Sequence, residues 1–415
     1  MKQIAIIGSG PAGCYLADNL LRLIADASID IFDRLPVPFG LVRYGVAPDH
    51  QGTKAVARVL DRVLSRDRVS FFGNVDVGRD VQLEELMALY DVVVLATGAS
   101  CDRRLGVPGE ELPGVVGSGI FSGWYNGHPD HQPPAIPGVR SAVVIGNGNV
   151  AIDVARILAK TSIELAGSDL SPDAMSWLES QPIGTIHIVG RRTAADAKFT
   201  DHELAELGTL QRARPIVQDS AALSGNGAVV ETLRSFAQNK SRNASVRICF
   251  HFNLTPIAFL GDNRLGAVLF RSPDGATREI SAQFAVTCIG YETRPCGFAN
   301  PTNGIFSNEE GKIKDRLYVA GWAKRGPSGT IPTNRGEAQF LAQKIAQEVL
   351  AGARAGRIGV RQLLEQRQIC WVDYAAWRRI DAAELARAGG ERCRTKFTSL
   401  AEMLDAAQAR QLRSA

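Results

Sequence analysis

Two glycine-rich turns constrain the fold of this chain more than any other feature. The first turn reads GSGPAG at residues 8–13, and the second reads GNGNVA at residues 146–151. Each turn follows an apolar run typical of a β-strand and opens an amphipathic segment typical of a helix. A strand–turn–helix unit of this kind places backbone N–H groups and a helix N-terminus against a pyrophosphate. The sequence therefore predicts two dinucleotide-binding units in one chain.

Composition excludes several other classes of protein. With 415 residues, 45% of them apolar and 22% charged, the chain is typical of a globular protein with two or three domains. A net charge of +4 is too small to indicate a nucleic-acid partner. No apolar run reaches about 18 residues, so we expect no membrane insertion. The first predicted strand begins at Gln3, which leaves no room for a targeting peptide. We expect a cytoplasmic protein; the alternative is a mature form whose leader has been removed.

The cysteines are dispersed along the chain, and none forms a C-x-x-C pair. That spacing argues against a redox-active dithiol, a zinc ribbon or an iron–sulfur centre. We expect reduced and mostly buried thiols, so any redox chemistry must use bound cofactors. The cysteines are Cys14, Cys101, Cys249, Cys288, Cys296, Cys370 and Cys393.

Alternating strand and helix patterns predict largely parallel sheets with helices on their faces. The alternation runs through residues 1–99, stops at a glycine- and proline-rich stretch at 100–140 that we interpret as a connector, and resumes at Ser141. A further strand at 317–320 and a helix from about Pro332 come late in the chain. This order predicts a discontinuous first domain, residues 1–105 and 318–415, with residues 106–317 inserted as a second domain.

The first turn indicates a nucleotide without a 2′-phosphate. Gly8 permits the tight bend, Gly10 lets the backbone approach a pyrophosphate, and Gly13 allows close packing of helix on strand. Asp33 follows the second strand, twenty residues after Gly13. A carboxylate at that position accepts hydrogen bonds from ribose hydroxyls, which suits FAD or NAD. The alternative is that Asp33 is an ordinary surface turn residue.

The second turn indicates NADP(H). Ala151 replaces the third glycine, and Arg191 and Arg192 directly follow a predicted strand at 185–190. These arginines stand where a ribose-binding carboxylate would otherwise lie. Guanidinium groups bind a 2′-phosphate well because they stay charged and donate two hydrogen bonds at once. The alternative is a pair of solvated surface charges.

Longer motifs resemble one family over nearly the whole chain. They are VPFGLVRYGVAPDH at 37–50, FGNVDVG at 72–78, GNGNVAIDVAR at 146–156, VGRR at 189–192 with FTDHE at 199–203, and GWAKRGPSGTI at 321–331. Together they resemble the adrenodoxin reductase type of ferredoxin–NADP⁺ reductase, as found in bacteria. The resemblance implies two Rossmann-like domains in a glutathione reductase-like α/β architecture, with an NADP domain inserted into an FAD domain.

The same resemblance implies an enzyme that takes a hydride from NADPH onto FAD and passes single electrons to an iron–sulfur ferredoxin. Besides the glycine turn, FAD contacts are expected at Ala12, Asp33, Leu41, Val77, Trp322, Gly329, Thr330 and Ile331. NADP contacts are expected at Asn147, Gly148, Asn149, Val150, Arg191, Arg192, Glu203 and Gly329. Asp33 stands where the family has a glutamate, and we expect binding to survive that change.

Two titratable residues are candidate catalytic groups, namely His50 and Glu203. His50 would relay a proton or hold the nicotinamide carboxamide; the alternative is that it only marks the start of a helix. Glu203 ends a T-x-x-E capping box with Thr200. We expect it both to cap the helix and to accept a hydrogen bond from the nicotinamide amide.

The predicted partner is an acidic ferredoxin, and we expect a monomer. Basic stretches at Arg354, Arg357 and Arg361 and at Arg378 and Arg379 could steer such a partner, but solvated helix faces are the simpler explanation for each of them. One alternative function is an FAD- and NADPH-dependent monooxygenase, whose F-x-G-x-x-x-H pattern is approached by residues 121–128. Another is a non-catalytic module that binds flavin or NADPH. The missing C-x-x-C disfavours a disulfide reductase.

Overall fold

The computed structural model describes residues 1–217, 223, 225–238, 244–295, 300–349, 352 and 354–408. The chain divides into two compact units, Met1–Cys101 with Tyr291–Ala415 and Asp102–Gly290. The second unit is thus inserted into the first, as the sequence predicts. The chain returns earlier than predicted, because residues 291–295 and 300–317 fold with the first unit. Lys312–Lys314 pairs with Leu317–Val319, and Phe306 is buried in the first unit's core.

The first unit is built on a mostly parallel sheet in the strand order β16-β17-β4-β1-β2-β3, in which β16 alone is antiparallel to its neighbour. The strands β1 and β2 carry continuous buried runs, as expected for a sheet covered on both faces. Its strands are β1 (Lys2–Ile7), β2 (Ala27–Phe32), β3 (Val69–Phe72), β4 (Val92–Leu95), β16 (Lys312–Lys314) and β17 (Leu317–Val319), and β5 (Cys101–Asp102) pairs with β15 (Tyr291–Glu292).

Helices cover both faces of this sheet. One face packs against α1, α4, α12, α14 and α15, and the other packs against α5 and α13. The helices are α1 (Pro11–Leu23), α2 (Leu41–Tyr44), α3 (Gln51–Lys54), α4 (Ala57–Leu64), α5 (Leu83–Leu89), α11 (Trp322–Arg325), α12 (Ile331–Glu348), α13 (Gly356–Gln366), α14 (Tyr374–Ala386) and α15 (Leu400–Gln408).

The second unit repeats this plan. Its parallel sheet has the order β6-β14-β7-β8-β10-β9, and β11, β12 and β13 form a separate antiparallel sheet. The strands are β6 (Val115–Gly117), β7 (Ser141–Ile145), β8 (Thr185–Val189), β9 (Ala213–Val217), β10 (Val246–His251), β11 (Thr255–Leu260), β12 (Ala267–Arg271), β13 (Thr277–Ser281) and β14 (Phe284–Thr287). The helices are α6 (Ser118–Tyr125), α7 (Asn149–Ala159), α8 (Pro172–Ser180), α9 (Asp201–Glu206) and α10 (Ala228–Gln238).

The predicted connector at 100–140 contains regular structure, so that part of the prediction is wrong. Residues 115–117 form a strand of the second sheet, and residues 118–125 form α6. Phe121 packs its ring against Trp177 and Phe284 in the core of the second unit. The glycines in this stretch argued against a helix in the sequence, but buried aromatic side chains stabilise the short helix α6. The F-x-G part of the monooxygenase-like pattern therefore has a packing role.

The structure bears on two expectations from the sequence, one about membrane-spanning helices and one about the burial of the cysteines. No helix in the described part of the chain has the length and apolar character needed to cross a membrane. No disulfide joins the described cysteines, but Cys101, Cys370 and Cys393 are exposed, so the expectation of mostly buried thiols is wrong for these three. Cys296 lies outside the described residues.

A histidine pair in the second unit makes its stability depend on pH. Nδ1 of His187 lies 2.9 Å from Nε2 of His251, on neighbouring strands. Burial lowers the pKa of His187 from its ordinary value near 6.5 to about 4, with Arg278 and Arg247 acting in the same direction. Burial, followed by His187, also lowers the pKa of His251. The folded state therefore favours neutral rings.

We expect the protein to lose stability as the pH falls from about 6.5 towards about 4, by roughly 3 kcal/mol, because the unfolded chain binds a proton at His187 that the folded chain does not bind. The stabilisation is fully present above the unfolded pKa. Thermal unfolding across this pH range should show the loss, and His187→Gln should make the pH dependence shallower. An unchanged slope in that variant would assign the acid sensitivity to other groups.

Candidate functional site

In the first unit, the predicted FAD residues gather at the carboxyl ends of the parallel strands. Residues 8–13 follow β1, Asp33 follows β2, residues 73–77 follow β3, residues 96–98 follow β4, and residues 320–322 follow β17. The neighbours of β1 are β4 on one side and β2 on the other, so the strand order reverses there. Ligands of open α/β sheets bind at such a switch point.

The first glycine turn has steric properties that explain each of its glycines. A Cβ on Gly8, where φ is +114°, would lie 2.2 Å from the carbonyl oxygen of Ala96. A Cβ on Gly13 would lie 2.1 Å from the carbonyl oxygen of Gly8. A Cβ on Gly10 would meet no atom of the described chain within 4 Å. Two glycines are thus required by the fold itself, whereas the third leaves room beside the backbone.

The helix that follows offers its N-terminus to an anion. No side chain caps α1, its first turn contains no acidic residue, and its first residue is Pro11. The first N–H within the helix ladder is that of Cys14, which leaves the N–H groups of Ala12 and Gly13 for another acceptor. Gly321, at the end of β17, comes so close that a Cβ there would lie 2.6 Å from the Cβ of Ala12. These features suit a pyrophosphate.

Asp33 holds the glycine turn in place. Its Oδ2 accepts hydrogen bonds from the Ser9 N–H at 3.1 Å and from the Ser9 hydroxyl, and its Oδ1 accepts the Leu35 N–H at 3.0 Å. A carboxylate has about four acceptor sites. The structure therefore leaves fewer sites for ribose hydroxyls than the sequence suggests. Burial raises the pKa of Asp33, and these three hydrogen bonds partly offset the rise.

The loop after β2 lies on the glycine turn. Phe39 donates its N–H to the Ser9 carbonyl at 3.2 Å, and a Cβ on Gly40 would lie 3.5 Å from the Cα of Gly10. Both Phe39 and Gly40 have positive φ angles. Leu41 follows at the start of α2 with 41% of its surface exposed. Val77 is half-buried at the edge of the core.

Thr97 is a candidate site residue that the sequence analysis did not assign to the FAD site. Its hydroxyl is buried at the carboxyl end of β4 and has no hydrogen-bond partner within the described part of the chain. Buried hydroxyls are usually satisfied, so an orphaned one beside the glycine turn fits a polar ligand. The sequence feature that points to Thr97 is the Ala-Thr-Gly triplet at residues 96–98, which directly follows the apolar run of β4.

The last part of the first site is a loop between two helices. Trp322 stacks on Tyr291 with ring centroids 5.9 Å apart and donates its Nε1–H to the Ser328 carbonyl at 3.1 Å. Gly329 has a φ of +77°, and Thr330 caps α12 together with Thr333. Because Pro332 has no N–H and the Thr333 N–H bonds to Thr330, the N–H left in the first turn is that of Ile331. The predicted helix thus begins where it can present one N–H to a ligand.

In the second unit, the glycine turn after β7 has the same properties. A Cβ on Gly146, where φ is +141°, would lie 2.2 Å from the Cys288 carbonyl oxygen. A Cβ on Gly148 would meet no atom of the described chain within 4 Å. No side chain caps α7, and its first turn, which contains Asn149 and Val150, has no acidic residue. The strand order again reverses at this strand, between β14 and β8.

Asn147 is fixed in this turn by its neighbours. Its carbonyl oxygen accepts the N–H groups of Lys198 at 2.6 Å and Phe199 at 3.1 Å. A Cβ on Gly190 would lie 1.7 Å from Nδ2 of Asn147, so any larger residue there would displace the Asn147 side chain. The Oδ1 of Asn147 is buried without a hydrogen-bond partner among the described residues. An orphaned amide oxygen here fits a ligand that donates a hydrogen bond.

Arg191 and Arg192 follow β8 at the carboxyl edge of the sheet, and both are exposed. Within the residues that the structure describes, neither guanidinium has a carboxylate oxygen within 4.0 Å. The Arg192 carbonyl accepts the Asn253 N–H at 3.1 Å, which fixes the backbone. Two unneutralised guanidinium groups on an anchored backbone suit a phosphate.

The capping box predicted for Glu203 forms only in part. Thr200 caps α9 by accepting the Glu203 N–H, but the Thr200 N–H bonds at 2.8 Å to Oδ1 of Asn149. The reciprocal bond from the Glu203 carboxylate is therefore absent from this cap, and the prediction that Glu203 completes the box is wrong. The Thr200 N–H donates to Asn149 of the glycine turn in place of the Glu203 carboxylate. Helix α9 is consequently fastened to the glycine turn.

His50 lies in the first unit at the residue preceding α3. Its backbone takes the N-cap position with a φ of −82°, and its side chain makes no capping hydrogen bond. Its position therefore agrees with the interpretation of His50 as the start of a helix. Its catalytic role stays a prediction.

The residues present fit a dinucleotide in each unit. Each site combines an uncapped helix N-terminus, a glycine beside which a Cβ would have room, and a buried polar atom without a partner, the Thr97 hydroxyl in one and the Asn147 Oδ1 in the other. These are the groups that a pyrophosphate and its sugars require. Asp33 marks the first site, and the unpaired arginines mark the second.

Comparison with known proteins gives concordant matches. A family model described as pyridine nucleotide-disulphide oxidoreductase matches residues 2–328. Cindoxin reductase of Citrobacter braakii is 39% identical, over 98% of this chain and 92% of its own. Human mitochondrial NADPH:adrenodoxin oxidoreductase is 35% identical, over 97% of this chain and 91% of its own. The structure of Mycobacterium tuberculosis FprA in complex with NADPH superposes with a TM-score of 0.91 at 34% identity, covering 98% of this chain and 100% of that one.

Proposed function

The chain belongs to the pyridine nucleotide-disulphide oxidoreductase family, as a member of its adrenodoxin reductase type, and on that premise we propose that it is an FAD-dependent ferredoxin–NADP⁺ reductase. The predicted family, the fold of two Rossmann-like domains and the enzyme class are confirmed by these relatives. The observation that carries the proposal is the pair of uncapped glycine-turn helices, one beside Asp33 and one beside Arg191 and Arg192.

We assign FAD to the first unit. The N–H groups of Ala12 and Gly13 would hold the pyrophosphate, and Asp33 would accept a ribose hydroxyl. Gly10 would let the phosphate approach the backbone. The remaining contacts would come from Leu41, Val77, Thr97, Trp322, Gly329, Thr330 and Ile331. Support comes from the placement of these residues at one edge of one sheet.

We assign NADP(H) to the second unit, with the pyrophosphate at the helix that begins at Asn149. Gly148 and Val150 would contact it through their backbone, and Asn147 would accept a hydrogen bond. Arg191 and Arg192 would bind the 2′-phosphate. Roles for Glu203 and Gly329 at the nicotinamide follow from the family resemblance, and His50 would relay a proton or hold the carboxamide.

When bound, FAD supplies hydride acceptance from NADPH and release of single electrons to an iron–sulfur protein. The chain's own residues position the reactants and provide electrostatics. The first turn of α12 directs its positive end and the Ile331 N–H towards a ligand, which favours negative charge there. Gly329 has a φ of +77°, and a Cβ there would lie 2.8 Å from Oγ1 of Thr333, so the turn before α12 itself favours glycine. Cytoplasmic location and a monomeric state stay predictions of the sequence.

Anaerobic mixing tests this function directly. The purified protein should show a visible flavin band that NADPH bleaches, and the band should return when an oxidised ferredoxin is added. Bleaching without recovery, followed by a lasting oxygenated flavin in air, would favour a monooxygenase. A flavin band that NADPH leaves unchanged would indicate a binding module. The result thus separates three functions that share this fold.

Ferredoxin reduction should slow as the ionic strength rises, by about tenfold or more between about 20 mM and 300 mM salt, because charge steers an acidic partner. Stopped-flow measurement of ferredoxin reduction checks this, with NADPH bleaching of the flavin as the control step. A rate that salt does not change would contradict a basic docking face.

The basic stretches noted in the sequence are weak candidates for that face. Arg357 pairs with Asp30, Arg378 pairs with Asp61, and Arg379 donates to the Ala407 carbonyl. Arg354 donates to the Ala88 carbonyl. These four arginines join segments of the first unit to one another, so we do not assign the docking of ferredoxin to them.

A further inference from the structure

The flavin-side helix α2 is too short to hold its own position. It contains four residues, Leu41–Tyr44, and isolated helices of that length are unstable in water. It nonetheless begins directly after Phe39 and Gly40, which touch the glycine turn at Ser9 and Gly10. Contacts from elsewhere in the chain must therefore fix α2.

Those contacts come from the C-terminal part of the first unit. Nη2 of Arg43 donates a 2.5 Å hydrogen bond to Oε1 of Glu384, which lies on α14 and is completely buried. The same carboxylate accepts the Phe397 N–H at 3.1 Å and Nη1 of Arg394 at 2.9 Å. From the other side, Nζ of Lys54 donates to the Arg43 carbonyl at 2.9 Å. Glu384 is thus the centre of the contacts that hold Arg43.

Aromatic rings complete the enclosure of Arg43. The centre of its guanidinium lies 5.1 Å from the ring centroid of Tyr44 and 5.5 Å from that of Trp377. Only 6% of Arg43 is exposed. Burial acts to raise the pKa of Glu384, but Arg43 and Arg394 outweigh it and the pKa is lowered, so the carboxylate is ionised at neutral pH.

A buried ion pair contributes little to stability compared with apolar residues of the same shape, but it fixes one geometry. Here the fixed geometry belongs to a helix that follows Phe39 and Gly40, which touch the glycine turn, and whose first residue, Leu41, has an exposed side chain. Resting on the proposed function, we infer that Glu384 is a positioning residue for the flavin. It holds Arg43, and through Arg43 it holds the backbone of α2 and the side chain of Leu41 against the bound cofactor.

The variant Glu384→Gln tests this inference in the full-length holoprotein. Glutamine has nearly the same shape as glutamate but no charge. Its amide NH₂ group would face N–H donors that the carboxylate accepts in the wild-type protein, so it could not accept those hydrogen bonds. We expect FAD to dissociate at least about tenfold faster, because a small displacement of a contact residue weakens binding strongly. The visible circular dichroism and the reduction potential of the bound flavin should also change. Both readouts report the surroundings of the flavin and are separate from turnover.

Asp30→Asn is the matched control in the same unit. Asp30 is completely buried, and it accepts hydrogen bonds from Nε of Arg357 at 2.8 Å and from the Tyr90 hydroxyl at 2.7 Å. This variant makes the same chemical change in another buried ion pair. We expect it to lower the melting temperature without changing FAD release or the flavin spectrum.

Two outcomes would overturn the inference. Glu384→Gln could match Asp30→Asn in FAD release, dichroism and potential, which would reduce Glu384 to a structural residue. If Glu384→Gln does not fold, Arg43→Lys replaces it, since lysine keeps the charge but loses the planar fork; unchanged flavin readouts there would have the same meaning. A wild-type protein that takes up no FAD would instead contradict the proposed function.

Discussion

Changing Arg191 and Arg192 together to alanine should weaken NADPH binding by about a hundredfold or more and leave NADH binding nearly unchanged. A hydrogen bond to a charged group contributes about 1.5–3 kcal/mol, and two such bonds to the 2′-phosphate would be lost. Both guanidinium groups are exposed and lack a carboxylate partner within the described residues, so their removal should not disturb the fold. Steady-state kinetics with both cofactors, and calorimetry with 2′,5′-ADP, measure the effect.

A matched control separates the loss of two specific contacts from the loss of two charges. Arg264 and Arg271 are exposed arginines of the same unit, in and beside the antiparallel sheet of β11 to β13. Their double alanine variant changes the net charge equally and should keep the preference for NADPH. If the Arg191 and Arg192 variant keeps that preference too, the 2′-phosphate assignment is wrong.

The features that sequence predicted well are those set by local sterics. Gly8, Gly13 and Gly146 each lie where a Cβ would overlap a carbonyl oxygen, so only glycine permits the turn, and the pattern is visible without a structure. The buried strands β1 and β2 are likewise continuous apolar runs. Arg191 and Arg192 could be predicted as ligands of a 2′-phosphate once the strand before them, β8, was recognised in the sequence.

The features that sequence missed depend on partners far along the chain. Arg43 and Glu384 are 341 positions apart, and nothing in either local pattern indicates the pair. Glu203 has the correct spacing for a capping box, but Asn149, about 50 residues earlier, takes the donor. Helix α6 is stabilised by Trp177 and Phe284 against its glycine content. The local sequence pattern predicts which structures and hydrogen bonds a segment can form. Contacts with residues distant in the chain determine which of them are present.

Gly10 and Gly148 permit a test that removes each cofactor separately. Both have extended backbones, with φ and ψ of −72° and −177° at Gly10 and −113° and 173° at Gly148, which any residue can adopt. In each case a Cβ would meet no atom of the described chain within 4 Å. Valine should therefore fit the fold and occupy the space that a pyrophosphate needs. We expect Gly10→Val to weaken FAD binding, and Gly148→Val to weaken NADPH binding, each by about a hundredfold or more.

The two variants control for one another. Gly148→Val should purify with its FAD and show an unchanged visible spectrum, yet it should bleach only at high NADPH concentration. Gly10→Val should lose its FAD but still bind 2′,5′-ADP, because the second unit retains Arg191 and Arg192. Gly8→Ala is the structural contrast, since its Cβ would lie 2.2 Å from the Ala96 oxygen at a φ of +114°. That variant should lose stability as well as FAD, whereas equal losses of stability in all three would mean that Gly10 and Gly148 serve the fold and not the cofactors.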